Sequence, residues 1–126
     1  MHKSRLCGFI IDCGEGDLEQ NAAFWSAALG FAVKPSRSPE DSNYVLLDAG
    51  ARDLDLEVQA VDHPSRVHLD IEADDVEAEV RRLESLGAKR VAQIKRWWVL
   101  EAPSGQRFCV VRAHSATFDD TANRWP

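Results

Sequence analysis

The most constraining feature of the chain is that it carries one pattern twice. In each half a strand-like apolar run precedes a helix that ends at Leu-Gly, at Leu29-Gly30 and again at Leu86-Gly87. A repeated unit of this size is too small to bury its own apolar face, so the two copies must pack together. At 126 residues the chain is predicted to be a single domain, 1–126. Module 1 spans about 5–61, module 2 about 66–112, and a polar C-terminal tail 113–126.

Hydrophobic periodicity predicts the order β-α-β-β-β in each module. Strands are expected at 6–13, 31–35, 44–48 and 54–60 in the first module, and at 66–72, 91–95, 97–101 and 108–111 in the second. Asp17 and Asp74 are the expected N-caps of the two helices. Residues 36–43 (SRSPEDSN) are the longest predicted loop.

Each predicted helix has an apolar stripe that would cover one face of a sheet. The first stripe is Leu18, Ala22, Trp25 and Leu29, and the second is Val76, Val80, Leu83 and Leu86. The charged side of the second helix is expected to be solvated and contains Glu77, Glu79, Arg81, Arg82 and Glu84. Because the strands alternate, their other face should be polar. The fold class is therefore α+β, with paired βαβββ modules forming a curved mixed sheet around a polar cup and the helices on its outer face.

Bulk composition argues against several classes of partner. The net charge is −6 and the pI is near 5.1, which disfavours nucleic acid and anionic membranes. No apolar run approaches the roughly 20 residues that span a bilayer, and the N-terminus lacks a signal-peptide core. The expected location is cytoplasmic. Cys7, Cys13 and Cys109 are interpreted as small buried hydrophobes in a reducing cell, with a reactive thiol as the alternative.

Three stretches carry a family resemblance: AAFWSAALGF (22–31), RVHLDIEADDVEAEVRRLESLGA (66–88) and WWVLEAPSGQRFCVV (97–111). In their order and spacing they resemble the vicinal oxygen chelate superfamily, which holds glyoxalase I, bleomycin-resistance proteins and extradiol dioxygenases. The small bacterial glyoxalase-like domains are the most similar group. The resemblance implies a cup lined by the sheet, a small-molecule ligand and a homodimer.

Metal-using members of that superfamily take ligands from four strands, and the resemblance assigns only two of those places here. His68 matches the usual histidine, and Glu57 or Gln59 could serve on the preceding strand. The first-strand place falls within residues 8–11, which offer no donor, and Arg107 stands where the acidic ligand of the last strand belongs. A guanidinium cannot coordinate a metal. No cofactor is therefore predicted, and a divalent metal held by His68 and Glu57 is the alternative.

The predicted ligand-binding residues are His68, Glu57, Gln59, Arg107 and Trp98. His68 is a candidate general base or ligand hydrogen-bonder, or else a structural histidine that bonds to Asp70 or to a neighbouring strand. Arg107 would bind an anionic group or form an internal salt bridge, for example with Glu57.

The remaining assignments concern tryptophans, histidines and strand charges. Glu57 and Gln59 would line the cup or form a solvated edge. Trp97 and Trp98 should point to opposite faces, one into the core and one into the cup. His2, His63 and His114 are expected at the surface.

The first functional hypothesis is a small-molecule binder of the bleomycin-resistance type without the usual metal site. The second is a lyase, isomerase or dioxygenase that uses His68 with or without a divalent metal, and the third is a regulatory or interaction module. Whether the protein is an enzyme stays open. The expected partners are a small molecule, anionic in one version, and a second copy of the chain.

Overall fold

The computed structural model describes residues 1–35, 42–50 and 53–126. Its elements, in chain order, are β1 (His2–Cys13), α1 (Leu18–Leu29), β2 (Tyr44–Leu47), β3 (Asp55–Ala60), β4 (Arg66–Ala73), α2 (Val76–Ser85), β5 (Lys89–Ile94), β6 (Trp97–Glu101), β7 (Arg107–Arg112), α3 (Phe118–Thr121) and β8 (Asn123–Trp125). The predicted α+β class and the repeated strand–helix–strands order are confirmed. Residues 36–41 of the predicted long loop lie outside the described residues.

The chain divides into two compact units. Residues 8–67 form the first unit, and residues 1–7 with 68–126 form the second. Strand β1 contributes to both, since its second half lies in the first unit and its first half in the second.

In the first unit, β3 pairs in parallel with the second half of β1 and antiparallel with β2. Helix α1 starts at the predicted N-cap, where the Asp17 carboxylate accepts from the Gln20 backbone N–H at 3.2 Å. The helix covers a core built on Ala22, Leu47 and Val58. The predicted strand 31–35 is reduced to a single bridge between Val33 and Leu47.

In the second unit, β4 pairs in parallel with β7. Strand β7 pairs antiparallel with β6, and β6 pairs antiparallel with β5. Helix α2 packs Val80 against Ala73, Leu100 and Val110, all of which are fully buried. The N-cap of α2 is Asp75, not the predicted Asp74, because the Asp75 carboxylate accepts from the Ala78 N–H at 3.0 Å.

Residues 113–126, predicted to be a polar tail, contain two regular elements. Helix α3 lies there, and β8 pairs antiparallel with the first half of β1. A buried carboxylate on β4 holds the start of this region to the sheet of the second unit. Glu72 accepts from the backbone N–H groups of His114 and Ser115, at 2.7 and 2.9 Å.

Two surface assignments are wrong. Glu79 is fully buried and His2 is 7% exposed, and His2 Nε2 lies 2.8 Å from Glu79 Oε1. Sequence periodicity places Glu79 on the charged side of α2, but His2 and Ser4 of β1 contact Glu79, and Trp125 contacts the neighbouring Arg82. The Arg82 guanidinium stacks on the Trp125 ring at 3.8 Å, and Trp125 Nε1 donates to Ser4 Oγ at 2.9 Å.

Among the described helices, none combines the length and the apolar character that crossing a bilayer requires.

Candidate functional site

The second unit has one polar sheet face, which lies opposite helix α2. Side chains alternate along a strand, so the packing of Ala73, Leu100 and Val110 beneath the helix turns their strand neighbours to the other side. Strand pairing sets Asp70 directly beside Cys109, Cys109 beside Val99, and Arg107 beside Glu101. We call this surface the polar face; it carries His68, Asp70, Glu72, Trp97, Val99, Glu101, Arg107 and Cys109.

Three side chains that can bind a metal ion or exchange a proton lie close together on the polar face. One donor atom each from His68, Asp70 and Cys109 lies within 4.8 Å of the others. His68 Nε2 and Asp70 Oδ1 are 3.4 Å apart, and their side chains are 12% and 19% exposed. The arrangement follows from strand geometry, because His68 and Asp70 are two residues apart on β4 and Cys109 is the register partner of Asp70 on β7.

Asp70 Oδ1 is buried and accepts no hydrogen bond from any described residue. Burying a carboxylate oxygen without a hydrogen bond is costly, since the oxygen loses its bonds to water. Such an atom indicates a group that completes the site, either an ordered water, a cation or a ligand donor.

Glu72, the next polar-face residue of β4, is fully buried, and its carboxylate already accepts hydrogen bonds from His114 and Ser115. Burial alone would raise its pKa, yet the hydrogen bonds from Ser115 and the His114 backbone outweigh burial and lower the pKa. The Glu72 carboxylate therefore holds residues 114–115 in place and is not assigned to ligand binding.

Arg107 is half-exposed on the polar face, and its Nε donates to Glu101 Oε1 at 3.2 Å. The sequence suggests two roles for Arg107, one of which is an internal salt bridge, for example with Glu57. The structure has such a salt bridge, but with Glu101 on the neighbouring strand. Because this contact uses Nε, the Nη groups of the guanidinium keep donors for a second acceptor.

Trp98 does not share the polar face. It packs against the core cluster beneath α2, and the Arg90 guanidinium lies 4.8 Å from its ring centroid. The two tryptophans are predicted to point to opposite sides of the sheet. With Trp98 against the core, alternation puts Trp97 on the side of His68.

Glu57 and Gln59 belong to the first unit, on β3. Glu57 pairs with Ile10 and Leu46, and Gln59 with Asp12 and Tyr44. Both are half-buried. Their convergence with His68 and Arg107 stays a prediction, because the two pairs lie in different units.

The first-strand region that would supply a metal ligand is closed to side chains at Gly8. A Cβ built there would lie 2.8 Å from the Asp55 carbonyl oxygen and 3.1 Å from the Asp55 Cβ. The neighbouring backbone therefore requires glycine at this position, and no donor side chain fits.

Sequence reasoning missed Asp70 and Cys109 as site residues. A signal for both was present, since they alternate in phase with His68 and Arg107 respectively. What was missing was the register between β4 and β7, which brings Cys109 beside Asp70.

A family model and solved structures both match this chain and agree on its fold. The family model for the glyoxalase-like domain matches residues 8–111. A hypothetical protein from Bacillus halodurans superimposes with a TM-score of 0.64 at 9% identity, covering 88% of this chain and 95% of that one. Methylmalonyl-CoA epimerase from Mycobacterium tuberculosis gives a TM-score of 0.64 at 16% identity, covering 86% and 87%. None of the curated proteins matches the chain by sequence.

Proposed function

Because the chain belongs to the glyoxalase-like domain family of the vicinal oxygen chelate superfamily, we propose that it binds a small molecule with an anionic group and lacks the family's usual metal site. The ligand lies against the polar face of the second unit. One observation carries this proposal: polar side chains from two neighbouring strands, His68, Asp70 and Arg107, share that face in a half-buried setting. Small-molecule sites use a few precisely placed polar groups of this kind to orient the ligand.

Arg107 is the proposed anion-binding residue. Its Nε donates to Glu101, and the Nη groups keep donors for a carboxylate or phosphate. This half-exposed contact restricts the long side chain in part, which lowers the entropy cost of binding. The loss of an acidic family ligand at this position and the closed space at Gly8 both support binding without the usual metal.

A thermal-shift screen of small carboxylic and phosphorylated acids tests the role of Arg107. An acid that raises the unfolding midpoint of the wild type should bind Arg107→Gln roughly 10- to 150-fold more weakly. That range corresponds to the loss of about 1.5–3 kcal/mol from a charge-assisted hydrogen bond. Arg112→Gln is the matched control, because Arg112 is exposed and lies on the same strand with the opposite orientation. Equal weakening in both variants, or none in either, would show that Arg107 does not select the ligand.

A second candidate function is proton transfer, favoured by the 3.4 Å separation between His68 Nε2 and Asp70 Oδ1. A carboxylate in this position orients an imidazole and stabilises the charge that it gains as a base. Proteins with this fold include methylmalonyl-CoA epimerases, so an acyl-CoA with an acidic carbon–hydrogen bond is the appropriate probe.

Under this second candidate, wild-type protein in D₂O should exchange the α-hydrogen of methylmalonyl-CoA, as followed by mass spectrometry. His68→Gln should slow the exchange by about 10²- to 10⁴-fold, the usual contribution of a general base. His63→Gln is the control, because His63 is a half-buried loop histidine that contacts Arg66. Exchange no faster than in buffer would exclude the epimerase version and leave the binder intact.

A further inference from the structure

We propose that His68, Asp70 and Cys109 form a binding site for a thiolate-preferring divalent ion of the zinc class. The proposal goes beyond small-molecule binding and stands on its own geometry. The family resemblance suggests a metal site that pairs His68 with Glu57 of the first unit. The proposed site keeps His68 but takes its other ligands from Asp70 and Cys109. All three donors here belong to the second unit.

The strand register brings the three donors together without any loop. Asp70 and Cys109 are direct partners on parallel strands, and His68 precedes Asp70 by one alternation on the same face. Their donor atoms lie within 4.8 Å of one another. Zinc binds its ligands at about 2.0–2.3 Å, so small side-chain rotations would let all three donors reach one ion. Ligands on paired strands are held more rigidly than ligands on loops.

The unsatisfied Asp70 oxygen is an independent observation that points to a cation. Oδ1 is buried with no hydrogen bond from any residue in the described ranges, and the nearby imidazole lies 3.4 Å away. A divalent ion would compensate the buried charge directly.

The donor chemistry selects the ion. A set of one imidazole, one carboxylate and one thiolate suits zinc or cobalt, because thiolates discriminate against magnesium and calcium. On binding, the Cys109 thiol loses its proton to solvent and the thiolate coordinates. Three protein ligands leave the fourth tetrahedral position open. That position would accept water or an oxygen of the small molecule.

Cobalt(II) titration of chelator-treated, reduced full-length protein tests the site. We expect one cobalt ion per chain, a near-ultraviolet thiolate-to-cobalt charge-transfer band, and visible d–d bands of tetrahedral intensity. Equimolar zinc should remove these bands, because zinc binds such sites more tightly than cobalt. Absence of a charge-transfer band at millimolar cobalt would overturn the proposal.

Two variants and one control connect the band to these residues. Cys109→Ser should abolish the charge-transfer band, and Asp70→Asn should weaken cobalt binding at least about 10-fold, because even residues behind a metal ligand contribute about 10- to 100-fold. Asp70→Asn also serves where Cys109→Ser does not fold. Cys13→Ser is the control, since Cys13 is a half-buried free thiol of the first unit and its loss should leave the spectrum unchanged. A band that survives Cys109→Ser, or unchanged affinity in Asp70→Asn, would refute the site.

The metal test and the small-molecule test can fail separately. An acid that stabilises chelator-treated protein through Arg107 supports the binder even where no cobalt band appears. A cobalt band without any acid-induced shift supports the metal site alone.

Discussion

Replacing Glu79 by glutamine is expected to lower the free energy of unfolding by about 3 kcal/mol, measured by urea denaturation near neutral pH. Glu79 is fully buried and makes 2.8 Å hydrogen bonds with His2, Ser4 and the Arg82 guanidinium. Removing one partner of a buried ion pair costs about 3–5 kcal/mol, because the other charge is left uncompensated. We expect the lower end of that range because the Arg82 side chain remains 24% exposed.

The same substitution should change the response of the protein to acid. Burial would raise the pKa of Glu79, but the hydrogen bonds from Arg82, His2 and Ser4 outweigh burial and lower the pKa below its ordinary value of 4.5. A lowered folded-state pKa adds stability that is fully present above the unfolded-state pKa and disappears as pH falls through the folded-state pKa. The wild type should therefore lose stability steadily below about pH 4.5. Glu79→Gln should lose less, with the remaining loss carried by residues such as Glu72, whose pKa is also lowered.

Glu84→Gln is the matched control on the same helix. Its carboxylate is 38% exposed and lies 3.1 Å from Arg90. Exposed ion pairs contribute about 0–1 kcal/mol, so this variant should differ little from the wild type. Similar losses in both variants would mean that Glu79 is solvated in solution and that the buried network does not form.

The burial of Glu79 also shows where sequence reasoning fails. Helical periodicity assigns Val80 and Leu83 to the core side of α2, and the structure places both there. The same periodicity leaves Glu79 on the solvated side, because it contains no information about long-range partners. The cover comes from β1 and β8 at opposite ends of the chain, and nothing in the local sequence links His2 or Trp125 to residue 79.

Strand positions were more predictable than the contacts between strands. A period of two puts His68 on the side of β4 opposite Val67 and Leu69, because alternation is a local property of a strand. It does not predict which side is buried, since Val67 and Leu69 are 61% and 44% exposed. The register between β4 and β7 depends on the packing of the whole module, so the proximity of Cys109 to Asp70 could not be derived. The strand predicted at 31–35 failed for a related reason, since its apolar residues pair with β2 only at Val33.

Leu100→Ala is expected to destabilise the protein by about 2–5 kcal/mol. Leu100 is fully buried and is among the largest side chains in the core of the second unit, where it packs with Val110 of the sheet and Val80 of α2. Truncation removes buried apolar contacts and leaves a cavity that strands and helix can fill only in part. The same Leu→Ala change at Leu86, predicted to be the last residue of the apolar stripe of α2 but 66% exposed in the structure, should stay within about 0.5 kcal/mol of the wild type. Urea denaturation of both variants compares the two sites with identical chemistry. Equal losses would mean that Leu86 is packed as closely as Leu100, which would contradict the helix–sheet contact on which the orientation of the polar face depends.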